Sequence, residues 1–262
     1  MRKISTKTWK RTSKKTGTKN SLHAKIKYFT TFGFPVNNIA MPVLVINFKN
    51  YEEIFSAGAV ELARAAQQVQ KKLDVSIVVC PPNPCLAEVS RQVSLPVFAQ
   101  HVDLAKPGSS TGAIVPEVIK SIGAKGSLIN HSERRLWASE GVKSRIDRLQ
   151  SIGLLSLACA QTPEEVSEIA KFGPDWLAVE PPELIGSGKA VSKVKPEVVT
   201  NSVAACRKAN PNVRLLCGAG IVTGEDVAAA VKLGAKGVLV ASGIVRAEDW
   251  IKTIEELASP LA

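Results

Sequence analysis

The sequence predicts an α/β fold of the closed (β/α)8 barrel class. Three observations support this prediction: short β-rich runs recur from Met41 to the C terminus, helical patterns separate them, and their spacing is regular. Eight strand-helix units of about 28 residues each match the usual size of a closed barrel of parallel strands.

The eight predicted strands are rich in Val, Ile, Leu and other apolar residues. They lie at 43–47, 76–80, 96–100, 126–130, 154–158, 176–180, 214–218 and 237–241. Several are apolar without alternation, which is typical of parallel strands covered on both faces. An open doubly wound sheet is the alternative, but such sheets generally have fewer strands, and no G-x-G-x-x-G pattern follows the first strand.

Apolar spacing and proline positions predict the helices between these strands. Residues 57–73 repeat Ala, Leu and Val at the three-and-four spacing of an amphipathic helix. Pro116 and Pro196 each stand where a helix begins, a position that tolerates the missing N–H group. A helix therefore follows most of the strands, as the barrel requires.

The N-terminal segment, residues 1–40, differs in composition from the rest of the chain. It holds eight Lys, two Arg and no acidic residue, whereas residues 41–262 hold 24 basic and 23 acidic groups. We predict a disordered basic extension before a catalytic barrel domain at 41–262. The extension is either an organelle transit peptide, although Arg is scarce, or upstream sequence that is not always translated. Any binding of nucleic acid is expected to be weak and through this segment.

Cysteine use and hydropathy exclude further classes of protein. The five cysteines form an odd count without a C-x-x-C pair, which is typical of reduced thiols in the cytoplasm. Cys80 and Cys85 have no histidine nearby, so we predict no metal site and no cofactor. No apolar run approaches the length of a membrane helix, and we expect a cytoplasmic protein without a membrane partner.

In a barrel of this class the active site lies at the C-terminal ends of the strands. The first strand ends in Asn47, Phe48 and Lys49. Because side chains alternate across a strand, Asn47 and Lys49 should point toward the barrel mouth and Phe48 to the opposite side. Lys49 then suggests an anionic ligand, the alternative being a lysine that extends into solvent.

Two further strands end in groups suited to proton transfer. The fourth delivers His131, one of only three histidines, with Ser132 and Glu133 placed to cap and charge the turn that follows. The sixth delivers Glu180, a carboxylate after an apolar run, where burial would suit it to general base catalysis. Each could instead be structural, and Glu183 is the alternative base.

The last two units end in glycine-rich turns, "CGAGIVTGED" and "VASGIVRAED". Gly218, Gly220 and Gly243 expose backbone N–H groups beside helix starts, which is how barrels of this kind bind phosphate. Each motif alone is often just a tight turn. Two in succession, opposite Lys49, indicate a small phosphorylated substrate.

These motifs carry a family resemblance. They are "NFK" at 47–49, "NHSERR" at 130–135, "EPPELIGSG" at 180–188, "CGAGI" at 217–221 and "VLVASGIV" at 238–245. In this order and spacing they resemble triosephosphate isomerases of the shorter archaeal form, over residues 41–262. The resemblance implies a TIM barrel without a cofactor, and an aldose–ketose isomerase of glycolysis and gluconeogenesis. Its reaction would interconvert dihydroxyacetone phosphate and glyceraldehyde 3-phosphate through an enediolate.

The resemblance also implies a role for particular residues. Glu180 would be the base, His131 the electrophile that polarises the carbonyl and moves protons between oxygens, and Lys49 the positive charge. The residues implied in binding the phosphorylated triose are Asn47, Phe48, Lys49, Ile185, Gly220, Ala241 and Ser242. Residues 181–188 would be a lid that closes over the substrate.

The segment "KPGSSTGA" at 106–113 resembles the interface loop of the family, with Thr111 and Gly112 as its reaching pair. The resemblance therefore implies a homodimer or homotetramer, assembled through loop 108–113 and helical faces. Ala219 stands where archaeal relatives have glycine, and a small crowding of the phosphate loop is expected. Two alternatives remain at this level: another phosphate-binding barrel enzyme, or a non-catalytic barrel with a nucleic-acid-binding tail.

Overall fold

The computed structural model describes residues 42–186 and 188–262, so the extension predicted at 1–40 lies outside the described residues. Eight parallel strands form one sheet. They are β1 (Val43–Asn47), β2 (Ser76–Cys80), β3 (Phe98–Ala99), β4 (Gly126–Ile129), β5 (Leu155–Ala160), β6 (Trp176–Val179), β7 (Arg214–Cys217) and β8 (Gly237–Val240). Each lies at a position predicted from the sequence.

The sheet closes into a barrel. Along the sheet the order is β2-β1-β8-β7-β6-β5-β4-β3, and a parallel bridge between Val79 and Val97 joins β2 to β3. The Val79 N–H also donates to the Pro96 carbonyl at 3.2 Å. The predicted TIM barrel is thereby confirmed.

Strand β3 is shorter than the predicted 96–100. Pro96 has no N–H group to contribute to a ladder. At the other end, the Gln100 side chain donates to the carbonyls of Lys49 and Cys80, both at 3.0 Å. At this end of β3 the Gln100 side chain therefore makes hydrogen bonds to neighbouring strand ends in place of backbone pairing.

The helices cover the outside of the barrel, in the part of the chain that the structure describes. They are α1 (Gly58–Leu73), α2 (Leu86–Gln92), α3 (Pro116–Ser121), α4 (Ser139–Ser151), α5 (Pro163–Ala170), α6 (Val191–Val194), α7 (Pro196–Ala209), α8 (Gly224–Lys232), α9 (Ser242–Val245) and α10 (Trp250–Ala258). Helix α1 matches the predicted 57–73 to one residue, and Pro116 and Pro196 open helices as predicted.

Because side chains alternate along each strand, the buried apolar residues form two layers, one outside and one inside the barrel. In β1, Leu44 and Ile46 pack outward against the helices, and Val43 and Val45 pack inside the barrel. The inner cluster comprises Val43, Val45, Val78, Cys80, Phe98, Leu128, Leu157, Cys159, Ala178, Leu216 and Leu239. It fills the interior, so any opening for a ligand must lie at the strand ends.

Among residues 42–186 and 188–262, no helix is both long enough and apolar enough to cross a membrane.

Candidate active site

A cavity opens at the C-terminal ends of β1, β4, β6, β7 and β8. Of the residues that the family resemblance implies as catalytic or substrate-binding, the following line it: Asn47, Lys49, His131, Glu180, Ile185, Gly220, Ala241 and Ser242. The barrel brings these eight together from five regions of the chain, as a site at the strand ends requires.

Phe48 is the predicted binding residue that the structure places elsewhere. Its side chain is fully buried in the outer cluster, between the barrel and the helices, and does not line the cavity. The reason is the alternation of β1, which turns Asn47 inward and Phe48 outward. Including Phe48 with its two neighbours in the binding set was therefore wrong for its side chain.

His131 lies at the end of β4, directly before a 3-10 turn at Ser132–Arg134. Its own Nδ1 caps this turn by accepting the Glu133 N–H at 3.2 Å. The cap predicted for Ser132 is not formed, and α4 begins only at Ser139. Because Nδ1 is an acceptor, a neutral ring carries its proton on Nε2.

The Nε2 atom of His131 faces the cavity, where it lies 3.4 Å from Asn47 Nδ2. The Lys49 N–H donates to Asn47 Oδ1 at 3.0 Å, which fixes the Asn47 amide with its NH₂ toward the histidine. With the proton on Nε2, this is a contact between two donors rather than a hydrogen bond. Both donors are therefore available to one oxygen atom of a ligand.

Glu180 follows β6 and is only 4% exposed. Its Oε1 lies 3.8 Å from His131 Nε2, and its Oε2 is buried without a hydrogen-bond partner among the described residues. Burial raises the pKa of the Glu180 carboxyl above its ordinary value, and the opposing effects of His131, Cys159 and Lys49 do not cancel this. The group is therefore a stronger base than an exposed glutamate.

Gly218, at the end of β7, makes room for this carboxylate. A Cβ atom at position 218 would lie 2.6 Å from Glu180 Cγ. The sequence had suggested that Gly218 serves phosphate binding through its N–H. In the structure the Gly218 N–H donates to the Val179 carbonyl at 3.0 Å, and the absence of a side chain leaves space for Glu180 against the backbone of the next strand.

Lys49 follows β1 in the left-handed region, with φ of 48°. Its Nζ forms an ion pair with Glu133 Oε1 at 2.7 Å, and only 13% of the Lys49 side chain is exposed. The strained backbone and the ion pair together hold the ammonium group at the edge of the cavity. The alternative of a lysine extended into solvent does not describe this residue.

The other end of the cavity is made of backbone from the last two units. Gly220 has φ of 70°, and a Cβ there would lie 2.0 Å from the Lys189 carbonyl oxygen. Helix α9 begins at Ser242, after Ala241, and its first N–H groups have no acceptor within the helix. Ala219 is buried in the apolar cluster and does not line the cavity, so its methyl group does not crowd the cavity as the sequence suggested.

The predicted lid contains a 3-10 turn at Pro182–Leu184, after which Ile185 reaches the cavity. Gly186 and Gly188 both have positive φ. Glu183 is exposed and forms an ion pair with Lys195, which lowers the pKa of its carboxyl. Glu183 lies outside the cavity lining, which argues against it as the base.

A family model described as triosephosphate isomerase matches residues 42–257. The chain belongs to the triosephosphate isomerase family. It is 46% identical over 220 residues to the triosephosphate isomerase of Methanothermus fervidus, covering 84% of this chain and 99% of that protein. It is 48% identical over 221 residues to that of Archaeoglobus fulgidus, with the same coverage of both chains. The resemblance drawn from the motifs is confirmed.

Sequence reasoning missed several partners of the triosephosphate isomerase site. Glu133 was assigned to charging a turn, but it pairs with Lys49. The contact of Gly218 with Glu180 carried no local signal. The hydrogen bonds that join Asn130, Arg135 and Glu165 beside His131 also had no signal in the local sequence.

Proposed function

We propose that this member of the family interconverts dihydroxyacetone phosphate and glyceraldehyde 3-phosphate, with Glu180 as the base. The observation that carries the proposal is a buried carboxylate of raised pKa, 3.8 Å from His131 Nε2, in a cavity that also holds a lysine. Membership of the family argues against other phosphate-binding barrels and against a non-catalytic barrel.

In this mechanism ionised Glu180 removes a proton from the carbon beside the carbonyl. The C–H electrons form the C=C bond of the enediolate, and the carbonyl oxygen becomes an oxyanion. His131 Nε2–H and Asn47 Nδ2–H, whose nitrogen atoms lie 3.4 Å apart, can both donate to that oxygen, and Lys49 supplies positive charge nearby. His131 then moves a proton between the two oxygens, and Glu180 returns its proton to the other carbon.

The glycine-rich end of the cavity suits the phosphate group. Gly220, Ala241 and Ser242 present backbone there, beside the start of the short helix α9. Residues 181–188 act as the lid, with Ile185 covering the substrate. Excluding water in this way would protect the enediolate from losing its phosphate.

For assembly, we propose that loop 108–113 joins subunits of a homodimer or homotetramer, together with helical faces. Thr111 and Gly112 are exposed, as is Leu104 at the base of the same loop. We place the protein in the cytoplasm, which suits the unpaired state of its five cysteines.

We further propose that residues 41–262 are the complete catalytic domain. The family model lies wholly within them. A variant without residues 1–40 should keep the kcat and the melting temperature of the full chain. A fall of several degrees in the melting temperature would show that the basic segment packs on the barrel.

A coupled assay tests the function directly. Glyceraldehyde 3-phosphate is supplied, and the dihydroxyacetone phosphate formed is reduced by an added NADH-dependent dehydrogenase. Purified, folded protein that produced no dihydroxyacetone phosphate would refute the proposal, because the fold alone hosts many activities.

A further inference from the structure

A polar cluster beside the active site plays no part in the mechanism above. It consists of Asn130 at the end of β4, Arg135 after the His131 turn, and Glu165 in the first turn of α5. Glu165 Oε1 accepts from Asn130 Nδ2 at 3.2 Å and from Arg135 Nη2 at 2.5 Å. Its Oε2 accepts from the Gln161 N–H at 2.7 Å. One carboxylate therefore binds donors from three points of the chain.

Asn130 connects this cluster to the strand ends. It is 2% exposed and has φ of 62°, a conformation that non-glycine residues seldom adopt. Its Oδ1 accepts from the Leu136 N–H and its Nδ2 donates to the Cys159 carbonyl, both at 3.0 Å. These two hydrogen bonds join the first and last residues of segment 130–136 to each other and hold the segment against the end of β5.

The fastened segment carries two groups of the site. His131 follows Asn130 directly, and Glu133 holds both the Nδ1 of His131 and the ammonium group of Lys49. Asn130, the first residue of the segment, and Arg135, near its end, both donate to the same Glu165 carboxylate. A change in that carboxylate would therefore act on the orientation of the imidazole.

We propose that Glu165 is a positioning residue for His131. The inference rests on the proposed role of His131 as electrophile. Glu165 lies outside the lining of the catalytic cavity, so it acts through segment 130–136 and not on the substrate. When an amide replaces the carboxylate, one of the two oxygens that accept from Asn130, Arg135 and Gln161 is lost, and the segment is free to relax. Small displacements of a catalytic group from its reactive geometry lower the rate strongly.

Kinetics of four forms of the full chain test this: wild type, Glu165→Gln, His131→Gln and the double variant. In Glu165→Gln an NH₂ group faces donors at one of the two carboxylate positions, with little change in shape. We expect kcat to fall about tenfold, with KM within about twofold, because binding of the phosphate is untouched. In the His131→Gln background the same change should alter kcat by less than about twofold, since residues that act as a unit are not additive.

Glu164→Gln is the matched control. Glu164 lies in the same first turn of α5, is exposed and carries the same charge. It should keep the wild-type kcat, which separates the effect from a general loss of charge at the helix start. The ring ¹⁵N shifts of His131 provide a readout that needs no turnover, and they should change in Glu165→Gln but not in Glu164→Gln.

Other outcomes overturn the proposal in distinguishable ways. An equal loss of kcat in both backgrounds, or a lower melting temperature with unchanged kcat and ¹⁵N shifts, would make Glu165 merely structural. Wild-type kcat in His131→Gln would remove the role of His131 and the present inference with it. If Glu165→Gln does not fold, Arg135→Lys keeps the charge but not the planar fork, and should show the same dependence on His131 at smaller size.

Discussion

In β1 and β6 the inward-facing side chain changes from apolar to polar within two residues: Val45 precedes Asn47, and Ala178 precedes Glu180. The barrel interior and the barrel mouth are thus built on the same strands. The interior packs buried apolar side chains, most of them Val and Leu. The mouth holds a buried carboxylate, one oxygen of which has no hydrogen-bond partner among residues 42–186 and 188–262, and two non-glycine residues of positive φ, Lys49 and Asn130.

Residues that stabilise the fold and residues proposed for catalysis therefore occupy different positions along the same strands. Apolar burial inside the barrel stabilises the fold. The groups at the mouth are held in states that cost free energy and persist because the packed interior fixes the strands that carry them. Substitutions in the interior should therefore lower the free energy of unfolding, whereas substitutions at the mouth should lower kcat.

The largest effect is expected at the mouth. Glu180→Gln keeps the shape of the side chain but cannot accept a proton from carbon, so kcat should fall about 10³-fold. The protein should stay folded and still bind phosphate analogues, as judged by thermal melts and calorimetric titration. Glu197→Gln, an exposed carboxylate in the first turn of α7, is the control and should leave kcat unchanged. Nearly full activity of Glu180→Gln would return Glu183 as the candidate base.

The interior should show the opposite pattern. Leu157→Ala removes a fully buried side chain of the inner cluster and should lower the free energy of unfolding by about 2–5 kcal/mol. Under conditions where the variant is folded, its kcat should remain within about twofold of the wild type. Urea denaturation and the coupled assay measure the two quantities. If kcat collapsed while the urea midpoint stayed constant, the separation of the two regions would be refuted.

Gly218 lies at the boundary between the regions. Because a Cβ there would lie 2.6 Å from Glu180 Cγ, Gly218→Ala must displace the carboxylate. We expect about a tenfold loss of kcat with a small change in KM. Gly141→Ala is the matched control, since the nearest atom to an added Cβ is 3.6 Å away. Equal kinetics for the two variants would mean that Glu180 tolerates the shift.

The smallest effect is a pH dependence of stability. Burial raises the pKa of Glu180 in the folded state above its value in the unfolded chain. Its contribution to stability is therefore fully present below the unfolded pKa and is lost as the pH rises through the folded pKa. The free energy of unfolding of the wild type, relative to Glu180→Gln, should fall over that interval. A difference that stayed constant over that interval would contradict the raised pKa of Glu180.

Several parts of this molecule follow from local sequence. The eight strands, the start of α1 and the prolines at helix starts depend on apolar periodicity and on the missing N–H of proline, which act within a few residues. Glu180, His131 and Lys49 were candidates because each polar group follows an apolar run. The alternation that placed Asn47 in the cavity also placed the Phe48 side chain on the opposite side of the strand.

What the sequence by itself determined is therefore the set of units and the polar residues that end the first, fourth and sixth strands. The tertiary structure decided which of these meet. Lys49 and Glu133 are 84 residues apart, Asn130 and Glu165 are 35 apart, and the contact of Glu180 with Gly218 joins neighbouring strands. Closure of the barrel and the register between strands set these distances. No periodicity within a single segment encodes them, because each contact needs two segments placed in space by the packing of the whole domain.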